Sequence, residues 1–230
     1  MLASTARIPG AVIVPVWRRL TEAESPWAVL LAVLAATALQ VALPNRYEIP
    51  PNWLLPTLGA LLGLGLSIAN HKGFTRISPQ LRLISKLLIA VITLANAGSA
   101  GRLIVALLRG REQDPTTLLL TGGAIWLTNV IVFGMWYWDL DRGGPAARAQ
   151  ALKSYPDFLF PQMTAPELSS PDWKPEFLDY LYVSFTNAAA FSPTDVLPLA
   201  RWAKMTMMLQ SMVSLSTVVL VIARAVNILK

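Results

Sequence analysis

Five stretches of this chain are apolar over lengths that a lipid bilayer can absorb and a small protein core cannot: residues 27–43, 53–69, 83–108, 118–137 and 199–228. At 1.5 Å per residue, even the first covers about 25 Å, the short end of what crosses a hydrocarbon layer about 30 Å thick. A chain of 230 residues cannot bury all five inside itself. Charged residues make up only 14% of it, where a soluble domain carries about 25%. The expected class is therefore an all-α integral membrane protein with the lipid bilayer as its first partner. The expected location is the cell membrane, crossed several times. A disordered chain, a secreted disulfide scaffold and a typical cytosolic enzyme are excluded.

The reactive inventory is short. There is no cysteine and only one histidine, His71. That removes thiolate nucleophiles, cysteine metal sites and zinc sites built on two or three histidines. No HExxH, P-loop, G-x-S-x-G or dinucleotide fingerprint occurs, so an enzyme is not expected, nor is a metal or cofactor. The net charge of +6 reads as Lys and Arg on cytoplasmic loops near anionic headgroups, with no nucleic acid as partner.

Four regions follow along the chain. Residues 1–26 form a cytoplasmic or interfacial segment. Arg7, Arg18 and Arg19 flank an apolar patch broken by Pro9, Gly10 and Pro15, so a signal peptide is not expected here. Residues 27–140 hold four transmembrane helices. In the second, Gly59 and Gly63 share a face, and internal helix packing is preferred over a dimer seam. Asn96 in the third reads first as a hydrogen bond between helices. Trp136, Tyr137 and Trp138 at the end of the fourth read as an interfacial aromatic belt. Residues 141–176 are a Pro-rich loop, too broken for a long helix or a central strand. They are also too rich in aromatic residues to be a free linker, so a loop folded back on the membrane surface or over a pore mouth is expected. Residues 177–230 make an end module. Its first helix, 177–190, is too short to span and has the length of a re-entrant helix; its second is the last span. The total is about five transmembrane helices plus one re-entrant helix.

Polar residues inside apolar stretches concentrate in that module. Thr186, Asn187, Ser192, Thr194 and Asp195 would form a constriction, with Gln210 and Ser214 lining the path below. Each also has a plain reading. Asp195 caps a turn by accepting backbone amides, and the serines bond the carbonyl four residues back.

The run Tyr180-Leu181-Tyr182-Val183-Ser184-Phe185, then Asp195, then Ala223-Arg224, resembles the pore module of small bacterial potassium channels. The resemblance implies a pore helix, a filter and an inner helix. The filter itself departs from the family's TxGYGD: Ser192 and Thr194 stand at the two glycine positions, and Pro193 lies between them. Filter glycines permit the backbone that turns carbonyls inward, so a potassium-type filter is not expected. The run from Tyr180 to Phe185, followed by Phe191, Thr194, Asp195 and Val196, is also similar to the pattern FLYF(S/A)F…F-x-x-S-D-V. That pattern belongs to an uncharacterised bacterial family of small multi-span membrane proteins, and it implies an architecture and no activity.

Basic residues crowd the N-terminal segment and the second loop (Lys72, Arg76, Arg82, Lys86), which favours a cytoplasmic N-terminus. After four spans the Pro-rich loop then faces the cytoplasm too, opposite to the potassium-channel arrangement. A full crossing by residues 177–197 would give six spans instead. Two functions remain in view: an ion or small-solute channel-like protein, expected as a homo-oligomer, and a non-conducting structural or partner-binding membrane protein.

Overall fold

The computed structural model describes residues 16–22, 24–44, 47, 57, 59, 61, 63–65, 68, 79–110, 114–190 and 195–228. The chain is mostly helical. Among the described residues, three helices are long and apolar enough to cross a membrane: Pro79–Leu108, Pro115–Gly143 and Arg201–Ile228. Helix α1 (Trp27–Val41) is apolar but has 15 residues. Of the second apolar stretch only scattered positions are described.

The ends of the long helices follow from local chemistry. Helix α2 (Pro79–Leu108) begins on a proline and is followed by Gly110 at φ +64, a left-handed turn that glycine adopts without steric cost. Helix α3 (Pro115–Leu140) has Asp114 as its N-cap. The carboxylate accepts from the amides of Thr116 (3.3 Å) and Thr117 (2.8 Å), satisfying donors that the first turn leaves open. Pro115 at the first helical position gives up no hydrogen bond there.

Helix α3 is the centre of the molecule and packs against every other long element. It gives up side chains where its partners approach. A Cβ added at Gly134 would stand 3.1 Å from the Leu181 Cα, and one at Gly122 would stand 2.8 Å from a Val221 methyl. Gly63 meets α1 in the same way, with Val33 2.9 Å from such a Cβ. These glycines serve packing within the chain, as preferred for Gly59 and Gly63. Asn96 is likewise an interhelical partner: it accepts from Gln40 Nε2 of α1 at 3.1 Å.

Beyond α3 the chain builds a cover over one end of the bundle. It contains a 3₁₀ turn (Asp141–Gly143), α4 (Pro145–Ala149), β1 (Phe158–Leu159), α5 (Pro161–Thr164) and a second 3₁₀ turn (Pro166–Leu168). Helix α6 (Phe177–Ala190) then descends along α3, followed by β2 (Leu197–Pro198) and α7 (Arg201–Ile228). Strands β1 and β2 pair antiparallel, Phe158 with Pro198 and Leu159 with Leu197. Residues 16–22 and 24–26 lie on the same cover; the Thr21 amide donates to the Ala149 carbonyl.

Helices α6 and α7 start at the same end and run the same way. Tyr180 bonds Asp141 just past the end of α3, whereas Ser184 reaches Val130 and Phe185 meets Trp126 nearer its middle. Trp202 at the start of α7 touches Phe158 of the cover, and Arg224 at the far end donates to the Gly110 carbonyl after α2.

Candidate functional site

Two polar clusters lie inside this fold. The first is the seam where α6 and α7 meet α3. Gln210 of α7 is fully buried at its centre. Its Oε1 accepts from the Tyr137 hydroxyl (2.6 Å) and from Asn187 Nδ2 (2.8 Å). Its Nε2 donates to the Ser184 carbonyl (2.9 Å) and hydroxyl (2.7 Å). Asn187 also donates to the Met207 carbonyl at 3.0 Å, and the Ser184 hydroxyl donates to the Val130 carbonyl at 2.6 Å. One turn further along α7, Ser214 accepts from Asn129 of α3 at 3.2 Å. Every member of this network is buried and partnered inside one chain, as buried polar groups generally must be.

The sequence-predicted site residues therefore separate. Asn187, Gln210 and Ser214 come together in the seam. Thr186 is half-buried and bonds the carbonyls of Tyr182 (3.1 Å) and Val183 (3.0 Å) in its own helix. Asp195 is exposed, just before β2. Ser192 and Thr194 lie outside the described residues.

The second cluster sits at the cover and was not anticipated. Of Trp136, Tyr137 and Trp138, read as an interfacial belt, Tyr137 and Trp138 are buried against the cover, and Trp136 is half-buried with its Nε1 donating to Thr93 at 3.0 Å. Asp141, fully buried, accepts from the Tyr180 hydroxyl (2.6 Å) and the Asp157 amide (2.9 Å). Arg142 reaches the Trp17 carbonyl at 2.6 Å. It holds a left-handed backbone, φ +50, unusual for a residue with a side chain. Arg148 donates to the carbonyls of Trp138 and Asp141 and faces Glu24 at 3.6 Å. Glu24 in turn accepts from Trp138 Nε1 (2.7 Å) and the Phe177 amide. Burial pushes the Glu24 carboxyl above its ordinary range, with Arg148 and these hydrogen bonds opposing the shift.

A sequence signal for this cluster existed: Asp139, Asp141 and Arg142 follow directly on Trp-Tyr-Trp, with Arg148 soon after. Among the described residues no group of His, Asp and Glu side chains could hold a metal ion. Comparison of the chain with known protein families, with curated proteins and with solved structures finds no match.

Proposed function

We propose that this chain is a multi-pass membrane protein that does not conduct through its own body. In this reading it crosses five times, α6 is half-inserted, and the cover is the surface it offers to lipid or partner. The observation that carries this reading is the Gln210 network. Residues that would line a path instead spend their hydrogen bonds on one another, joining α3, α6 and α7. The half-inserted placement is supported by the length of α6, 14 residues or about 21 Å, and by its start beside that of α7. An apolar outer face on α7, with Met205, Met208, Met212 and Leu215 exposed, supports contact with lipid.

The cover faces the cytoplasm in this reading. Among the described residues, Arg18, Arg19, Arg82, Lys86, Arg142, Arg148, Lys153, Lys174, Arg201 and Lys204 lie at its end of the bundle, against Arg102, Arg109 and Arg224 towards the other, in keeping with the positive-inside rule. Because the chain has no cysteine, one introduced at the exposed Ser170 reports its side cleanly. A Ser170→Cys variant labelled by an impermeant maleimide only from the cytoplasmic side supports the orientation; labelling from outside refutes it.

Purified protein in liposomes is expected to pass no monovalent ion or small solute under an imposed gradient. Sustained cation flux that falls on Asp195→Asn would overturn the proposal. It would favour a second reading, conduction between copies in a homo-oligomer. That reading draws on the shared starting end of α6 and α7 and on the exposed position of Asp195.

A further inference from the structure

One edge of the cover is apolar and cationic at once. Helix α4 ends with Ala151 in a left-handed backbone, φ +51, the place that glycine usually takes in such a cap. The Ala151 and Leu152 amides donate to the Arg148 and Ala147 carbonyls. In this cap the residue at the Leu152 position commonly folds back on the helix. Here Leu152 turns outward, and Leu152, Lys153, Ser154 and Tyr155 are exposed in succession, Leu152 at 61% and Tyr155 at 85%. The N-terminal segment runs alongside. Thr21 bonds Ala149, and Arg18, Arg19 and Leu20 just before it are exposed, Leu20 at 78%.

The edge carries one sign of charge. Among the described residues, Arg18, Arg19 and Lys153 form no ion pair; the Arg18 guanidinium lies over the Trp17 ring, 4.5 Å from its centre. The exposed acids of the cover belong to its other flank. Glu167, Asp172 and Glu176 lie on the stretch that carries Lys174, and Lys174 bonds the Glu22 carbonyl. Single apolar residues on a surface need no explanation, but three among three unpaired cations make a mixed patch. That patch is also tied to the bundle where the chain enters the membrane. Just past Tyr155, the Asp157 carbonyl accepts the Leu199 amide at 2.8 Å, at the approach to α7. The segment that holds Leu20 leads into α1, whose first residue, Trp27, is exposed, as a residue at headgroup level is.

We propose that this edge docks on the anionic lipids of the leaflet around it. Leu20, Leu152 and Tyr155 enter the headgroup layer, and Arg18, Arg19 and Lys153 meet lipid phosphates. The proposal rests on the membrane reading above and names the lipid class that the cover meets. Apolar side chains set among cations are what binds a protein surface to an anionic bilayer, each kind adding to the other. Tyrosine suits the layer because its ring is apolar and its hydroxyl polar. Each cation close to such a surface contributes about fivefold to the docked state. A nucleic acid or an acidic protein would match the charge alone; the apolar residues and the ties to α1 and α7 favour lipid.

The test places a polarity-sensitive fluorophore on Ser154→Cys of the full chain, which has no cysteine of its own. The control is the same label on Ser170→Cys, exposed on the acidic flank. The labelled proteins are held in lipid nanodiscs of phosphatidylcholine with or without phosphatidylglycerol, together with a lipid that carries a quencher on its headgroup. At position 154 the emission is expected to shift to the blue and to be quenched when phosphatidylglycerol is present; position 170 is expected to stay in water. Salt at 1 M, which cuts the screening length to about 3 Å, should reverse the shift. Arg19→Gln should lower the ratio of docked to free emission about fivefold, and Arg18→Gln, Arg19→Gln and Lys153→Gln together on the order of a hundredfold. Leu152→Ser with Tyr155→Ser should abolish the shift while the charges remain. Equal quenching in pure phosphatidylcholine overturns the proposal, as does indifference to salt and to the three glutamines, or equal quenching at position 170. A label that stays in water in every disc also overturns it, and a protein then cross-linked through Ser154→Cys in native membranes would claim the edge instead. A disc offers the same lipid on both faces, so none of these outcomes depends on which side the cover faces or on whether the protein conducts.

Discussion

Replacing Gln210 by leucine isolates the role of the seam. The substitution removes both acceptor bonds at Oε1 and both donor bonds at Nε2. The partners differ in what they keep. Asn187 still donates to the Met207 carbonyl and Ser184 to the Val130 carbonyl. The Tyr137 hydroxyl, fully buried, loses the acceptor to which it donates. An orphaned buried donor costs about 1–3 kcal/mol, and each lost interhelical bond averages about 0.6 kcal/mol in a membrane protein. Gln210→Leu should therefore destabilise by about 2–3 kcal/mol. Tyr137→Phe alone should cost only about 0.6 kcal/mol, because Gln210 keeps Asn187. In the Gln210→Leu background the same Tyr137→Phe change should stabilise, by about 1 kcal/mol, since it removes the orphan. Equilibrium unfolding in detergent, followed by tryptophan fluorescence, gives all four corners of the cycle. If Tyr137→Phe destabilises both backgrounds equally, Tyr137 does not depend on Gln210 and the reading of the seam as a lock is wrong.

Other sites give sharp contrasts. Gly134→Ala places a methyl 3.1 Å from the α6 backbone at Leu181 and should cost about 1–3 kcal/mol. Gly123→Ala meets nothing within 4 Å and should leave the thermal midpoint unchanged or raise it. Asp141→Ala strands the Tyr180 hydroxyl and leaves Arg142 without the acid beside it; loss of one buried partner predicts about 3–5 kcal/mol, read as early proteolysis of the cover. For Glu24, a raised carboxyl pKa means that the folded chain holds the proton more tightly than the unfolded one. Its contribution is full below the ordinary glutamate range and is lost as pH rises through the raised value. Protease resistance of the cover should thus increase on acidification from neutral pH, and Glu24→Gln should flatten that dependence.

The helices were legible because their signals are local. Apolar runs and the short segment from Phe177 are each read within a turn or two, and α6 covers Phe177–Ala190. The starts moved outward, to Pro79 and Pro115, because proline fits a helix's first turn although it interrupts an apolar run. The cover was not legible for the opposite reason. Glu24 meets Trp138 and Phe177 across more than a hundred residues, and charges next to an apolar run look like topology markers until something is known to cover them. Asn187, Gln210 and Ser214 could be singled out as polar residues in apolar surroundings. Whether such residues face a path or one another depends on the parallel run of α6 and α7, which no local pattern encodes.

The two-residue pairing of β1 with β2 also bears on the order in which the protein can be made. It joins residue 158 to residue 198, and the earliest described residues, among them Thr21, Glu22 and Glu24, lean on Ala149, Lys174 and Phe177. On a ribosome, those residues emerge well before their seat, which is complete only once residue 177 has followed. The pairing can close only after α6 is in place and the start of α7 is leaving the exit tunnel. Trp17 and Glu24 must therefore wait, exposed, through most of synthesis. Truncation between the end of α3 and β2 would release helices α1 to α3 with their buried aromatic end open, a natural point for quality control to recognise an unfinished chain.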